Sequence, residues 1–149
     1  MPDSYSVLMT TQFISDGGPQ VPASLVDIKE QELSLRLETS TLGSAVVVHC
    51  SGRIVYRYEA SALSHKVAGL LESHALVILD LQHVSAIDSA GLGELVALHM
   101  WAQAHRRCLR LSGVSSRIHA LLKLTNLTSI LEVYATEEHA LDASQPEVA

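Results

Sequence analysis

Two hydrophobic periods alternate along this chain from residue 33 onward. Leu33, Leu35 and Leu37 are apolar at every second position, the pattern of a half-buried strand. Ala45-Val46-Val47-Val48-His49-Cys50 is a continuous, β-branched run, which predicts a strand buried on both faces. Leu42-Gly43-Ser44 between them suits a hairpin turn, and Ser51-Gly52-Arg53 predicts the end of the second strand. Leu63, Val67, Leu70 and Leu71 then fall on one stripe of a helix. Ala75 to Leu81 reads as another buried strand. Leu92, Leu95, Val96 and His99 stripe a helix predicted over Glu94 to Arg106, and Leu98 and Trp101 give it a second apolar side, so it should be largely buried. Cys108 to Leu111 predicts a short strand. Val114, Ile118, Leu121 and Leu122 repeat the helical stripe, with Ser112 or Ser115 as its N-cap. Ile130 to Tyr134 predicts a last strand, and Glu137 to Leu141 begins a terminal helix with acids at its positive end.

The predicted order is β-β-α-β-α-β-α-β-α. Strands alternating with helices indicate an α/β domain built on a mostly parallel sheet of about five strands. The opening hairpin makes that sheet mixed, and the crossovers are expected to be right-handed. Residues 1–30 differ in kind: they hold Pro2, Pro19, Pro22 and the Gly17-Gly18 pair among many Ser and Thr. They predict a flexible or loosely packed N-terminal extension. The domain is assigned to residues 31–143, and Ser144 to Ala149 to a frayed polar tail.

Charge and cysteine content narrow the function classes. The chain has 149 residues, a formal net charge of −6 and 17% charged residues, which predicts no nucleic-acid partner. Arg106, Arg107 and Arg110 lie close together, but three bases at a helix end also suit its negative pole. Cys50 and Cys108 both sit in apolar runs and read as buried free thiols in a reducing compartment. The first residues lack the pattern of a signal peptide, and no apolar run is long enough to span a bilayer, so the expected location is the cytoplasm, without membrane insertion.

The chemistry centres on Ile87-Asp88-Ser89-Ala90-Gly91-Leu92-Gly93, between a strand and a helix. A nucleophile elbow needs G-x-S-x-G, and Ile87 stands where the first glycine belongs. Asp88 beside Ser89 lacks the histidine that a triad places between them. The eight histidines show no metal-ligand spacing: His99 and His105, like His65 and His74, point to different faces. They read as structural or surface residues, with no metal. Gly91-Leu92-Gly93 is only a fragment of a dinucleotide fingerprint, and no P-loop lysine follows, so no cofactor is expected. Ser89 is left with two roles, either as the helix N-cap, with Asp88 competing for that position, or as a regulated hydroxyl. Gly91 and Gly93 are expected to keep the surroundings of Ser89 low.

These residues carry a family resemblance. Asp80-Leu81, Val84 and Ile87 to Gly93 resemble the signature of bacterial anti-sigma factor antagonists, the STAS domain. Ser51-Gly52-Arg53-Ile54 is similar to the family's turn after the second strand, Val114 to Leu127 to its following helix and turn, and Glu137 to Leu141 to its terminal helix. The resemblance implies a non-enzymatic binding protein. Its partner would be an anti-sigma factor that is also a serine kinase of the histidine-kinase ATPase fold. Phosphorylation at Ser89 would break the complex and so regulate sigma-factor-dependent transcription. Asp88, Ser89, Ala90, Gly91, Leu92 and Gly93 would form the partner-binding surface. A non-switching STAS scaffold, or a subunit of a larger regulatory or transport complex, is the alternative. Two positions depart from the family pattern. Ile54-Val55-Tyr56 offers no acid after the second strand before Glu59, and Asn126 replaces a turn glycine, where asparagine can still adopt the left-handed conformation.

Overall fold

Strand pairing begins at a two-residue turn. In the computed structural model, which describes residues 34–143, β1 (Leu35–Leu42) and β2 (Ala45–Ile54) pair antiparallel with Leu42 opposite Ala45. Gly43 supplies the positive φ of +60° that such a tight hairpin requires. The remaining elements alternate: α1 (Tyr56–Ser73), β3 (Leu76–Ile87), α2 (Ser89–Ala104), β4 (Cys108–Ser112), α3 (Ser116–Leu124), a 3₁₀ turn (Leu127–Ser129), β5 (Glu132–Tyr134) and α4 (Glu137–Asp142). The strands form one sheet in the order β1-β2-β3-β4-β5, antiparallel at the first pair and parallel at the other three. The mixed, mostly parallel sheet expected from the sequence is therefore present. The predicted extension and tail lie outside the described residues.

Alternation along each strand divides the apolar residues between two faces. Val46, Val48, Val77, Leu79, Leu109 and Leu111 pack with Leu63, Val67 and Leu71 of α1, Leu95 of α2, and Ile118 and Leu122 of α3. The opposite face presents Ala45, Val47, Leu76, Ile78 and Cys108, and these pack with Ala140 and Leu141 of α4. Three helices thus cover one face and the short α4 covers the other. This explains why the Ala45–Val48 run is buried throughout.

Several boundaries differ from the periodic reading. The third strand was expected to end at Leu81 but continues to Ile87. Here β2 also runs on to Ile54, and the two stay paired through irregularities at His49/Ser51 and Gly52/Arg53. Polar Gln82, His83 and Ser85 on its solvent side hid the extension. Helix α2 starts at Ser89, five residues before Glu94, because Gly91 and Gly93 lower the helical signal of its first turns. The last strand begins at Glu132, since Leu127–Ser129 turn as a 3₁₀ segment. Ser115, not Ser112, caps α3 by accepting from the Ile118 N–H at 3.2 Å, while Ser112 is a buried residue of β4. Asn126 does take the left-handed conformation, with φ 64° and ψ 25°.

Arg110 is the clearest correction. It belongs to no helix-end basic cluster; it lies in β4 and is 0% exposed. Its Nε donates to Glu132 Oε1 at 2.9 Å, and its Nη1 donates to the carbonyls of Ala140 at 2.7 Å and Ala143 at 3.2 Å. The guanidinium also lies 5.6 Å from the centre of the Tyr134 ring. One buried cation thereby ties β4, β5 and α4 together.

Candidate functional site at the carboxyl end of β3

The Asp88-Ser89 pair sits where β3 gives way to α2. Asp88, not Ser89, is the N-cap: its backbone is extended (φ −113°, ψ −172°), and its Oδ1 accepts from the Gly91 N–H at 3.1 Å. The other carboxylate oxygen, Oδ2, accepts from the N–H of Tyr56 at 2.9 Å. The Asp88 N–H in turn donates to the Ile54 carbonyl at 3.3 Å. Tyr56 opens α1 with a left-handed φ of 64°, an uncommon conformation for an aromatic residue. One carboxylate therefore holds the starts of two helices and joins the β2–α1 and β3–α2 connections. The Tyr56 N–H foremost, with the Gly91 N–H adding to it, holds the Asp88 carboxyl below the usual carboxylate range.

This assignment overturns the cap role expected for Ser89. Ser89 is the first residue of α2 and is exposed. Among the hydrogen bonds of the described residues, none engages its hydroxyl. Asp88 and Ala90 beside it are half-buried, and Gly93 is exposed with open space around its Cα. Gly91 and Leu92 point the other way. A Cβ at Gly91 would lie 2.6 Å from the Ile54 carbonyl oxygen and 2.7 Å from Ile87 Cγ1, and Leu92 is 8% exposed in the core. Gly91 is thus required by the packing of β2 against α2 from beneath, not by access from outside. Of the two glycines, only Gly93 leaves the surface open.

Two features adjoin the serine. Tyr56, bonded to Asp88 through its backbone, exposes 65% of its surface. A shallow groove of about 440 Å³ is lined by Ser85, Ala86 and Ile87 of β3 and by Arg117, Leu121 and Leu124 of α3. It begins directly before Asp88, and Leu124 stands 85% exposed. Glu59, the first acid after β2, is buried and belongs to neither feature.

The expected burial of both cysteines is observed: Cys50 and Cys108 are free and buried. Burial, aided by the negative charge of Asp80, pushes the Cys50 thiol up to about 12. His99 is buried in α2 as its stripe predicted, and His105 stacks on Trp101 with ring centres 3.9 Å apart. Another group escaped sequence reasoning because its members are far apart in the chain. His49 Nδ1 lies 2.9 Å from Asp80 Oδ2 and 3.6 Å from Glu137 Oε2. Burial acts to raise the Asp80 carboxyl, but hydrogen bonds from His49 and the Gln82 N–H outweigh it and hold it below the usual range. Glu137 is raised by its burial and by the neighbouring Asp80. No spacing in the sequence marks the group; the register of β2 on β3 sets His49 beside Asp80.

Comparison with known proteins agrees with this architecture. The STAS domain family model matches residues 36–140. The chain is 29% identical over 113 residues to the anti-sigma-B factor antagonist of Bacillus subtilis (strain 168), covering 76% of this chain and 93% of that protein. A crystal structure of an anti-sigma factor antagonist from Mycobacterium paratuberculosis superposes with a TM-score of 0.66 at 22% identity, covering 74% of this chain and 93% of that one. The Bacillus cell fate determinant SpoIIAA in its phosphorylated form superposes with a TM-score of 0.55 at 20% identity, covering 72% of this chain and 96% of that one. Among the described residues no helix is long and apolar enough to cross a membrane.

Proposed function

This chain belongs to the STAS domain family, and from that premise we propose that it is an anti-sigma factor antagonist switched by phosphorylation at Ser89. In this reading it binds a cognate anti-sigma factor that is also a serine kinase of the histidine-kinase ATPase fold. The unphosphorylated form captures that partner in the cytoplasm and frees the sigma factor, and phosphorylation releases the partner. The chain itself acts as a binding protein and a kinase substrate, not as an enzyme.

The observation that carries the proposal is the division of labour between Asp88 and Ser89. Asp88 makes the capping and bridging hydrogen bonds, so the exposed Ser89 hydroxyl is free of structural duty. A phosphate there adds about −1.5 to −2 charges and three acceptor oxygens. It would sit at the N-terminus of a 16-residue helix, whose first N–H groups and dipole favour an anion. The fold should therefore tolerate modification, while a partner seated over Ser89 meets new bulk and charge. Exposed Tyr56 and Gly93 extend the surface offered to such a partner, with Asp88 and Ala90 at its centre and Gly91 and Leu92 supporting it from below. Tyrosine suits this place, as a large side chain that orders at small entropic cost.

The test is incubation of the full chain with its cognate kinase, Mg²⁺ and ATP, followed by mass spectrometry and a pull-down. The expected results are a single phosphate on Ser89, retained binding by Ser89→Ala, and binding by Ser89→Asp weakened at least tenfold, the scale on which a misplaced interfacial charge acts. Phosphate on other serines alone, or equal binding by Ser89→Asp and the wild type, would refute the site.

A further inference from the structure

The second face of the sheet holds an arrangement that partner switching does not use. His49 of β2 and Asp80 of β3 are register partners on the face covered by α4, and Glu137 opens α4 above them. We propose that His49 Nδ1, Asp80 Oδ2 and Glu137 Oε2 form a binding site for one divalent transition-metal ion of the Zn²⁺ class. The three donors come from two strands and a helix, yet all lie within 4.8 Å of one another.

The spacing suits a metal. Ligands about 2.0–2.2 Å from a tetrahedral Zn²⁺ lie about 3.3 Å from each other. The His49 nitrogen is 2.9 Å from the Asp80 oxygen and 3.6 Å from the Glu137 oxygen, on either side of that edge. Histidine nitrogen and carboxylate oxygen are both zinc ligands, and three protein ligands leave a fourth position for water. The exposure is graded as such a site needs, with side chains 36% exposed at His49, 27% at Glu137 and 9% at Asp80, so an ion could enter from the His49 side.

Two further groups point to a ligand. His49 Nε2 lies 2.8 Å from Ser40 Oγ. With Nδ1 on a metal, the ring would carry its proton on Nε2 and donate it to Ser40, the outer-shell contact that orients ligating histidines. In a neutral ring without metal, Nδ1–H would donate to Asp80 and Nε2 would accept from the Ser40 hydroxyl, so binding would exchange one tautomer for the other. The second group is Ser112. It is the register partner of Asp80 in β4, on the same face as Arg110, whose guanidinium reaches the α4 carbonyls. Its Oγ is buried, the residue being 1% exposed, and it has no hydrogen-bond partner among the described residues. A buried orphan hydroxyl is costly, and a water on the metal beside Asp80 would satisfy it.

The test is titration of chelator-treated full chain with ZnCl₂ by calorimetry, alongside CoCl₂ followed by visible absorption. The expected result is a single Zn²⁺ per chain, a rise in melting temperature with Zn²⁺, and the intense visible bands of four-coordinate Co²⁺. His49→Gln and Glu137→Gln should each lose at least tenfold in affinity, and Ser40→Ala, which touches no metal, about tenfold. Circular dichroism reports whether each variant is folded. If His49→Gln is not, Glu137→Gln and Ser40→Ala decide. Absence of binding by the wild type, or affinity unchanged in the folded variants, would overturn the site and leave the trio as hydrogen bonds holding α4 to the sheet.

Discussion

Replacing Asp88 by alanine tests the keystone of the candidate site. The substitution removes the N-cap of α2, worth about 1 kcal/mol for an aspartate. It also removes the acceptor for the Tyr56 N–H, a charge-assisted bond worth about 1.5 kcal/mol, at the low end for such bonds because Asp88 is only half-buried. The sum is about 2–3 kcal/mol, and for a chain of this size it lowers Tm by about 5–10 °C. Asp88→Asn can still cap Gly91 through its amide oxygen but offers no second acceptor to Tyr56, so about half the loss should remain. Urea and thermal melts followed by circular dichroism read both. The pH dependence adds an independent check. The folded-state carboxyl is depressed, so its contribution is fully present above the unfolded value and lost as pH falls through the folded one. The gap between wild type and Asp88→Ala should therefore be constant from neutrality to about pH 5 and close below about pH 4. A variant within about 0.5 kcal/mol of wild type at neutral pH, within ordinary surface scatter, would refute the two-helix clamp.

Other substitutions separate the roles of neighbouring residues. Gly91→Ala forces a Cβ to within 2.6 Å of the Ile54 carbonyl, and the overpacking should cost about 1–3 kcal/mol in chemical denaturation. Gly93→Ala, with nothing within 4 Å, should instead stabilise α2 by about 0.5–1 kcal/mol, so the two variants should move the denaturation midpoint in opposite directions. Arg110→Met leaves Glu132 and the carbonyls of Ala140 and Ala143 without their cation and should cost about 3–5 kcal/mol, with much of that recovered when Glu132→Leu is added. Both cysteines should resist alkylation at mildly alkaline pH in the native protein and react fully in denaturant, because burial raises both thiols.

What could be read from the sequence was whatever depends on near neighbours. Among the described residues, apolar period located the five strands and the first three helices, acids at its start located α4, and Asn126 was identified as a left-handed residue from its place after a helix. Distant partners decided the rest. Asp88 and Ser89 are equally good caps by type, and the choice between them fell to the Ile54 carbonyl and the Tyr56 N–H, supplied from more than thirty residues upstream. Arg110 follows exposed Arg106 and half-buried Arg107, and although the apolar pattern placed it in a short strand, only the fold shows its side chain buried beneath α4. The length of β3 depended on how far β2 ran beside it. His49, Asp80 and Glu137 carry no spacing signature, because sheet register and the return of α4 bring them together.

The same dependence bears on how the proposed switch and the scaffold can occupy adjacent positions. β3 is the central strand, and parallel sheets expose their chemistry at the carboxyl ends of their strands. At that end the chain must satisfy helix N–H groups and, in the proposed function, also offer a hydroxyl to a kinase; a single residue could not do both, because phosphorylation would cost it its cap. Placing the cap on Asp88 leaves Ser89 the next residue along, already inside the helix, where a phosphate would meet the positive end of the helix dipole without breaking the cap bond. Exchanging the two residues, Asp88→Ser with Ser89→Asp, should therefore keep a capped α2 while losing the Tyr56 clamp, since one hydroxyl has a single oxygen to offer. Circular dichroism should report a folded, destabilised protein, and mass spectrometry should find no phosphate on the buried-side hydroxyl at 88. Efficient phosphorylation there would show that the kinase needs only a nearby serine and that the Asp88–Ser89 order carries no functional meaning.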